Sequence, residues 1–236
     1  MVDFKIMGND IQHLYIELSP GEKIYAEGGH LIWKSSSVNI KATTGGGLLS
    51  GLRRTITGAS FFVLELEGPG AVDIAASPPG RITEIDLSGN GIMVEHRAFL
   101  AMEPTVNYDI RLTGLGFGWL GGEGLLMARL QGNGRVFLHA IGDALMLELG
   151  PSDSIDVEAG HVLAFDEGMK VGIRRVGGLR TMLFGEEGLW LAHVEGAGQG
   201  LAKDPKQTTN YHGINARVVQ DSEVNIRTIM IMPSLN

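Results

Sequence analysis

The chain repeats itself, and this repeat constrains its fold more than any other feature. Two separate anchors recur three times: an apolar run that ends in Gly-x-Gly, and an apolar stretch that leads through a glutamate into a turn. Because both anchors recur at a spacing near 64 residues, the sequence predicts three copies of one supersecondary unit. The first glycines of one anchor are Gly68, Gly132 and Gly196, and the glutamates of the other are Glu27, Glu95 and Glu158.

Between the anchors the sequence has the pattern of short β-strands. Residues 61–67, 134–140 and 144–149 are apolar or alternating and are bounded by Gly, Pro, Asn or Asp, as is typical of strands. Glycine makes up 35 of 236 residues, about twice its usual share, which suits the tight turns between short strands. We therefore predict an all-β fold of three pseudo-repeated β-sandwich units, related to the double-stranded β-helix.

The repeat also predicts the domain organisation. A triplicated β domain covers residues 1–203, with repeats at approximately 1–80, 81–145 and 146–203, and residues 204–236 hold a linker and a C-terminal strand. The first copy has a short insertion, placed at residues 43–51. The final strand, predicted at residues 224–232, needs a partner edge, either on its own body or in a neighbouring subunit.

Composition excludes several classes of function. The chain has no cysteine, so disulfides, thiolate metal sites and cysteine nucleophiles are ruled out. Its net charge of −8 argues against nucleic acid as a partner. No apolar run is long enough to span a bilayer and no signal core is present near the start, so we expect a cytoplasmic protein. No catalytic motif or cofactor fingerprint is found, so we predict no catalytic residue and no cofactor.

The repeated glutamates allow two interpretations. Pseudo-threefold packing could bring the carboxylates of Glu27, Glu95 and Glu158 together, with His161 beside them, as a metal site. Alternatively, each glutamate accepts backbone N–H bonds at the turn that follows it, and it recurs because the turn recurs; turn chemistry favours this second interpretation. A three-histidine site is excluded, because Ala98 replaces the histidine that His30 and His161 provide in the other copies.

Two glycine-rich segments carry apolar side chains that could form contacts. If these segments are exposed, they make a patch suited to subunit or membrane-surface contact; if not, they cap the open ends of the sandwiches. The glycines at 45–47 with Arg53 and Arg54 could hold an anion, but a flexible hairpin tip fits them better, since the lysine of a phosphate loop is missing. The candidate contact residues are Leu48, Leu49, Leu115, Phe117, Trp119 and Leu120.

Several short motifs, in this order, resemble a known family. They are Ser19-Pro20-Gly21-Glu22, Ala26-Glu27-Gly28-Gly29, residues 47–54, Ser60-Phe61-Phe62, Gly122-Glu123-Gly124-Leu125, residues 157–164 and Phe184-Gly185-Glu186-Glu187-Gly188-Leu189. Together they resemble the Altered Inheritance of Mitochondria 24 family over roughly residues 15–200, in its uncharacterised bacterial and archaeal branch.

The resemblance implies a fold but no reaction. It implies three small β-sandwich units, similar to the tryptophan-RNA-binding attenuation protein, arranged as a rosette. The mitochondrial members are linked to inner-membrane organisation. The chain departs from the family pattern at Ala59, where the family has glutamate, at Glu186, where it has glycine, and after Gly198, where the closing strand is replaced.

These observations predict a homo-oligomeric binding or scaffold protein that works through its surfaces. A protein or a membrane surface is the partner that its apolar loops would fit. The sequence favours a non-catalytic protein; the alternative is a metal- or small-ligand-binding protein, or an enzyme, that uses the repeated Glu/His turns.

Overall fold

The computed structural model describes residues 2–9, 11–43, 63–112, 126–176, 189–196, 217–218 and 228–231. These ranges are almost entirely β-strand, with two 3₁₀ turns at His96–Ala98 and Ala159–His161, so the predicted all-β class is confirmed. No helix within them could cross a membrane, for want of length and apolar character. The strands are β1 (Asp3–Met7), β2 (His13–Leu18), β3 (Lys23–Glu27), β4 (Leu31–Lys34), β5 (Asn39–Thr43), β6 (Val63–Glu67), β7 (Gly70–Ile74), β8 (Gly80–Glu95), β9 (Phe99–Met102), β10 (Val106–Leu112), β11 (Leu126–Ile141), β12 (Leu145–Glu148), β13 (Ser154–Glu158), β14 (Val162–Asp166), β15 (Lys170–Val176), β16 (Leu189–Glu195), β17 (Arg217–Val218) and β18 (Thr228–Ile231).

The strands form three antiparallel sheets. An 11-stranded sheet runs in the order β17-β12-β18-β14-β8-β11-β9-β3-β6-β5, with β10 paired to β11 beside this path. A four-stranded sheet has the order β1-β2-β7-β4, and a three-stranded sheet has the order β13-β16-β15. The outermost strands β4 and β13 each end a sheet.

One predicted strand is part of a much longer strand. The strand predicted at residues 134–140 is part of β11, which has 16 residues and pairs along β8, a strand of the same length. The register of β11 against β8 shifts between Gln131 and Asn133, and this shift divides β11 into two parts, residues 126–131 and 133–141. A bulge of this kind bends a strand without ending it, so the Gly-x-Gly anchor is a bend here rather than a turn.

The C-terminal strand lies within its own chain. Strand β18 is shorter than the predicted 224–232 segment and sits between β12 and β14, paired with both. Its Ile229 and Met230 are buried. The predicted linker at 204–210 lies outside the described residues.

The anchor glycines are needed because the backbone passes close to another segment. A Cβ on Gly68 would overlap the carbonyl oxygen of Ser19, and one on Gly196 would overlap that of Gly150. Gly132 meets the carbonyl oxygen of Thr105 in the same way, and its φ of +151° also favours glycine. The repeat of glycine in the sequence thus has a steric cause.

Three apolar clusters form the core. The first includes Ile92, Val94 and Leu130 of β8 and β11, together with Ala164 and Met230. The second combines β2, β3 and β7 with Ala101 and Phe137. The third is built mainly from β13 to β16, with Ile229, and includes Met93 and Met127.

Candidate functional site

Each repeated glutamate ends a strand and interacts with the turn that follows it. Glu27 Oε2 accepts a hydrogen bond from the Gly29 N–H at 2.7 Å and lies 3.3 Å from His30 Nδ1. The Glu158 carboxylate lies close to His161 Nδ1 across its own turn. Glu27 and Glu158 therefore each lie beside the histidine that follows three residues later.

Glu95 is the buried member of this set. Its Oε2 accepts from the Arg97 N–H at 3.0 Å, while Oε1 lies 3.0 Å from Arg97 Nε and 2.9 Å from His96 Nδ1. Burial opposes ionisation of this carboxyl group, but the hydrogen bond from His96 and the positive charge of Arg97 outweigh it, so the pKa of Glu95 lies below its ordinary value.

Two of the three glutamates influence the same buried tyrosine, Tyr108. Burial raises the pKa of the Tyr108 phenol, and the negative charges of Glu95 and Glu27 raise it further. Both carboxylates therefore act on the same buried side chain; Glu158 is not among the groups that affect it. Within the described part of the chain, no group of three or more His, Asp or Glu side chains is arranged to hold a metal ion. A metal at Glu27, Glu95, Glu158 and His161 stays a prediction.

Leu48, Leu49, Leu115, Phe117, Trp119 and Leu120 all lie outside the described residues, as does the anion-binding candidate around residues 45–47.

His139 on β11 is a buried histidine that the sequence analysis did not single out. Its side chain is 5% exposed, and its Nε2 has no hydrogen-bond partner among the described residues. Burial disfavours the charged imidazolium, and the nearby His30 adds to this, so the pKa of His139 falls to about 4. It is therefore neutral near pH 7.

A second feature missed by sequence is a polar face on the four-stranded sheet, formed by His13, Tyr15, Trp33 and Asp73; we call it the Asp73 face. Tyr15 on β2 and Trp33 on β4 are the register partners of Asp73 on the intervening β7. Directly paired residues point to one side of a sheet, so the four side chains converge.

Asp73 organises this face although it is only 6% exposed. Its Oδ1 lies 2.7 Å from His13 Nδ1, and its Oδ2 accepts from Trp33 Nε1 at 3.2 Å. Because a carboxylate accepts hydrogen bonds, His13 donates through Nδ1. The two aromatic rings above Asp73 remain partly exposed, and Trp33 is 44% exposed.

Tyr15 completes the face as an aromatic neighbour of Trp33. The ring centroids lie 6.2 Å apart with an interplanar angle of 50°. Tyr15 Oη donates to Glu17 Oε1 at 3.0 Å; this bond raises the pKa of the phenol, and the charges of Glu17, Asp73 and Asp3 act in the same direction. Each aromatic side chain thus donates to a carboxylate, Tyr15 to Glu17 and Trp33 to Asp73, and ring faces beside negative charge suit a cationic group. The signal in the sequence was Asp73 itself, a charge within an apolar strand.

A cleft of about 540 Å³ lies elsewhere, beside Glu103. Glu103 is buried, but its carboxylate accepts from the backbone N–H groups of Val2, at 3.1 Å, and Arg135, at 2.9 Å. The cleft is also lined by Glu22, Lys23 and Asn133. Since both Glu103 oxygens are used within the protein, this carboxylate fixes the N-terminal strand against β11.

The family model described as Mitochondrial biogenesis AIM24 matches residues 4–201, most of the chain. The chain belongs to this family. The resemblance inferred from the sequence motifs is thereby confirmed. An uncharacterised protein of Streptococcus pyogenes is 23% identical over 184 residues, which cover 74% of each chain.

A solved structure is also similar to this AIM24 family member. The X-ray crystal structure of a Streptococcus pyogenes protein from a structural genomics programme has a TM-score of 0.70 and is 20% identical. The match covers all of this chain and 94% of that one. At this identity the similarity establishes the fold of this AIM24 family member and not its activity.

Proposed function

We propose that this protein is a cytoplasmic, homo-oligomeric binding or scaffold protein that acts through its surfaces. The observation that carries the proposal is the Asp73 face. There a partly exposed aromatic pair lies beside a buried carboxylate, on a sheet that ends at strand β4. The repeated glutamates, in contrast, interact with their own turns. The arrangement of these side chains is therefore explained better by a binding surface than by a catalytic site, in which reactive groups would converge.

The body of this scaffold, in our proposal, is a rosette of three related units. The strand pairing supports this, because one pattern recurs three times: β7 lies between β2 and β4, residues 133–141 of β11 lie between residues 80–88 of β8 and β9, and β18 lies between β12 and β14. A second pattern also recurs: β6, residues 126–131 of β11, and β16 each lie at the centre of a three-stranded group.

The C-terminal strand supplies the closing strand of the third unit in this arrangement. The positions of β7 and β11 in the first two units correspond to that of β18, which comes from beyond residue 203. The third repeat is therefore completed by a segment that the chain adds after its linker.

The oligomer is tested by light scattering coupled to size-exclusion chromatography at micromolar concentration. We expect a particle of at least twice the chain mass of 25.3 kDa. A strictly monomeric particle over this concentration range would overturn the oligomeric part of the proposal and leave the binding part to be tested separately.

The second candidate is a metal-binding protein that uses the Glu/His turns. The Glu158–His161 pair favours it, because both side chains are partly exposed and already in contact. Elemental analysis of protein purified without chelator tests this candidate. A stoichiometric metal that is lost in the Glu158→Gln variant would support it, and metal-free protein would leave the scaffold proposal.

A further inference from the structure

The Asp73 face occupies a position that is buried in the two other units. Trp33 pairs with Asp73 on β7, Ala101 pairs with Phe137 on β11, and Ala164 pairs with Met230 on β18. These three pairs are equivalent in the recurring strand pattern. Small or apolar residues in the second and third units thus correspond to an indole and a carboxylate in the first.

The apolar pairs join neighbouring units. Ala101 and Phe137 belong to the cluster that contains Leu14, Ile16 and Ile24 of the first unit. Ala164 and Met230 belong to the cluster built around β8 and β11 of the second unit. This side of a unit is therefore a docking side in both cases.

Backbone ladders accompany these two contacts. Strand β9 pairs with β3 through Ala101 and Ala26, and β14 pairs with β8 through Ala164 and Val94. The equivalent third ladder would pair β4 with β13 through Trp33 and Val157. In the described chain these two strands belong to different sheets and share no ladder, and the third apolar cluster contains no residue of β1, β2, β4 or β7.

We infer that the edge of β4 and the Asp73 face dock an extended segment of another polypeptide that carries an arginine or lysine side chain. An added strand would satisfy main-chain groups along β4, as in strand addition to other sheet edges. The residue opposite Trp33 would point to the same side as Trp33 and Asp73. A cationic side chain there meets the faces of Trp33 and Tyr15.

Charge complementarity selects this occupant over a second copy of the chain. Three carboxylates, those of Asp73, Glu17 and Asp3, act on the Tyr15 phenol. They outnumber Lys5, the register partner of Tyr15 on β1, so negative charge is in excess beside the aromatic pair. The chain itself carries a net charge of −8, which opposes close contact between two such faces. The same negative charge stabilises the binding of a strand that carries a basic side chain.

The test is a peptide-binding measurement, and it rests on the proposed binding function. The probe is a fluorescent peptide of about six residues, the length of a typical strand, that alternates threonine and valine around one arginine. Fluorescence anisotropy gives its dissociation constant. We expect binding to weaken by about tenfold or more when the arginine is replaced by glutamate, or when alternate amides are N-methylated so that the main-chain donors are lost.

Variants locate the site. Trp33→Ala should weaken binding of the arginine peptide by about tenfold or more, whereas Trp33→Phe, which keeps an aromatic face, should stay within about threefold. Ile40→Ala is the matched control, because Ile40 is also 44% exposed on an outermost strand and should leave binding unchanged. Circular dichroism confirms that each variant is folded.

Three outcomes would overturn the inference: no binding of the arginine peptide, equal binding of the glutamate peptide, or equal loss of affinity in Trp33→Ala and Ile40→Ala. Conversion of an oligomer to monomers by Trp33→Ala would also overturn it, since a second copy would then occupy the face. An oligomer that binds no peptide contradicts this inference alone, and a monomer that binds the peptide contradicts only the oligomeric proposal.

Discussion

His139 is a histidine that burial keeps neutral, and this links its ionisation to stability. Its pKa is about 4 in the folded protein, below the ordinary value of 6.5. As pH falls from 6.5 towards 4, the unfolded chain takes up a proton that the folded chain excludes, so the free energy of unfolding decreases. The slope approaches about 1.4 kcal/mol per pH unit for one such group.

The first prediction is that His139→Leu removes this contribution. Urea unfolding at pH 7 and pH 5 should show a larger loss of stability in the parent protein than in the variant. The control is His13→Leu, because the His13 side chain is about one-third exposed, whereas His139 is buried. An equal pH slope in the parent and His139→Leu proteins would contradict the assignment.

The repeated glutamates differ in burial, and this difference predicts different costs of substitution. The Glu95 side chain is 5% exposed and that of Glu158 is 41% exposed. Glu95→Gln leaves Arg97 and His96 without their carboxylate and should lower the free energy of unfolding by about 1–3 kcal/mol. Glu158→Gln should change it by less than about 0.5 kcal/mol.

Thermal and urea unfolding near pH 7 measure both variants. The pKa of Glu95 is lowered in the folded protein, so its stabilisation is present above the ordinary carboxyl pKa and is lost as pH falls through the lowered value. The difference between the parent and Glu95→Gln proteins should therefore shrink in acid. Equal effects of the two substitutions at pH 7 would show that burial does not set their cost.

At the scale of elements, Gly132 allows β11 to bend without ending. Its φ is +151°, and a Cβ there would overlap the Thr105 carbonyl oxygen. Gly132→Ala should therefore destabilise the protein by about 1–3 kcal/mol. Gly172→Ala on β15 is the matched control, because a Cβ there has nothing within 4 Å. Urea unfolding compares them, and similar midpoints would contradict the steric explanation.

The sequence predicts that β18 is a strand but not which strands it pairs with, since its partners lie far from it in the chain. It buries Ile229 in the third cluster and Met230 in the first. Ile229→Ala should cost about 2–5 kcal/mol, as expected for a large-to-small change in a core, while Ile40→Ala should cost much less. A small effect of Ile229→Ala would show that β18 contributes little to the folded body.

Sequence predicts the parts of this fold that depend on local chemistry. Gly68, Gly132 and Gly196 were found because backbone crowding excludes any side chain, and Glu27, Glu95 and Glu158 because turn chemistry recurs. The pairing of β18 with β12 and β14, and the meeting of His13, Trp33 and Asp73, depend on contacts between distant segments. No local sequence pattern indicates such contacts or the burial of His139.

At the scale of the whole molecule, the described sheets differ in how they are joined to one another, and this predicts unequal stability. Strands β8, β9, β11 and β14 are linked by ladders and share the first cluster. The sheet of β13, β15 and β16 has no ladder to any other described sheet and relies on apolar contact, including that with Met93 and Met127. Loosely attached cooperative units open at a lower free energy than the global transition.

Native-state hydrogen exchange tests this directly. Amides in the ladder between β13 and β16 should exchange through an opening of lower free energy than those in the ladder between β8 and β11. Met93→Ala, which trims the contact between the two parts, should lower the first opening energy more than Ile85→Ala, which lies in the cluster of the central sheet. One common opening energy for both ladders would mean that the sheets unfold as a single cooperative unit.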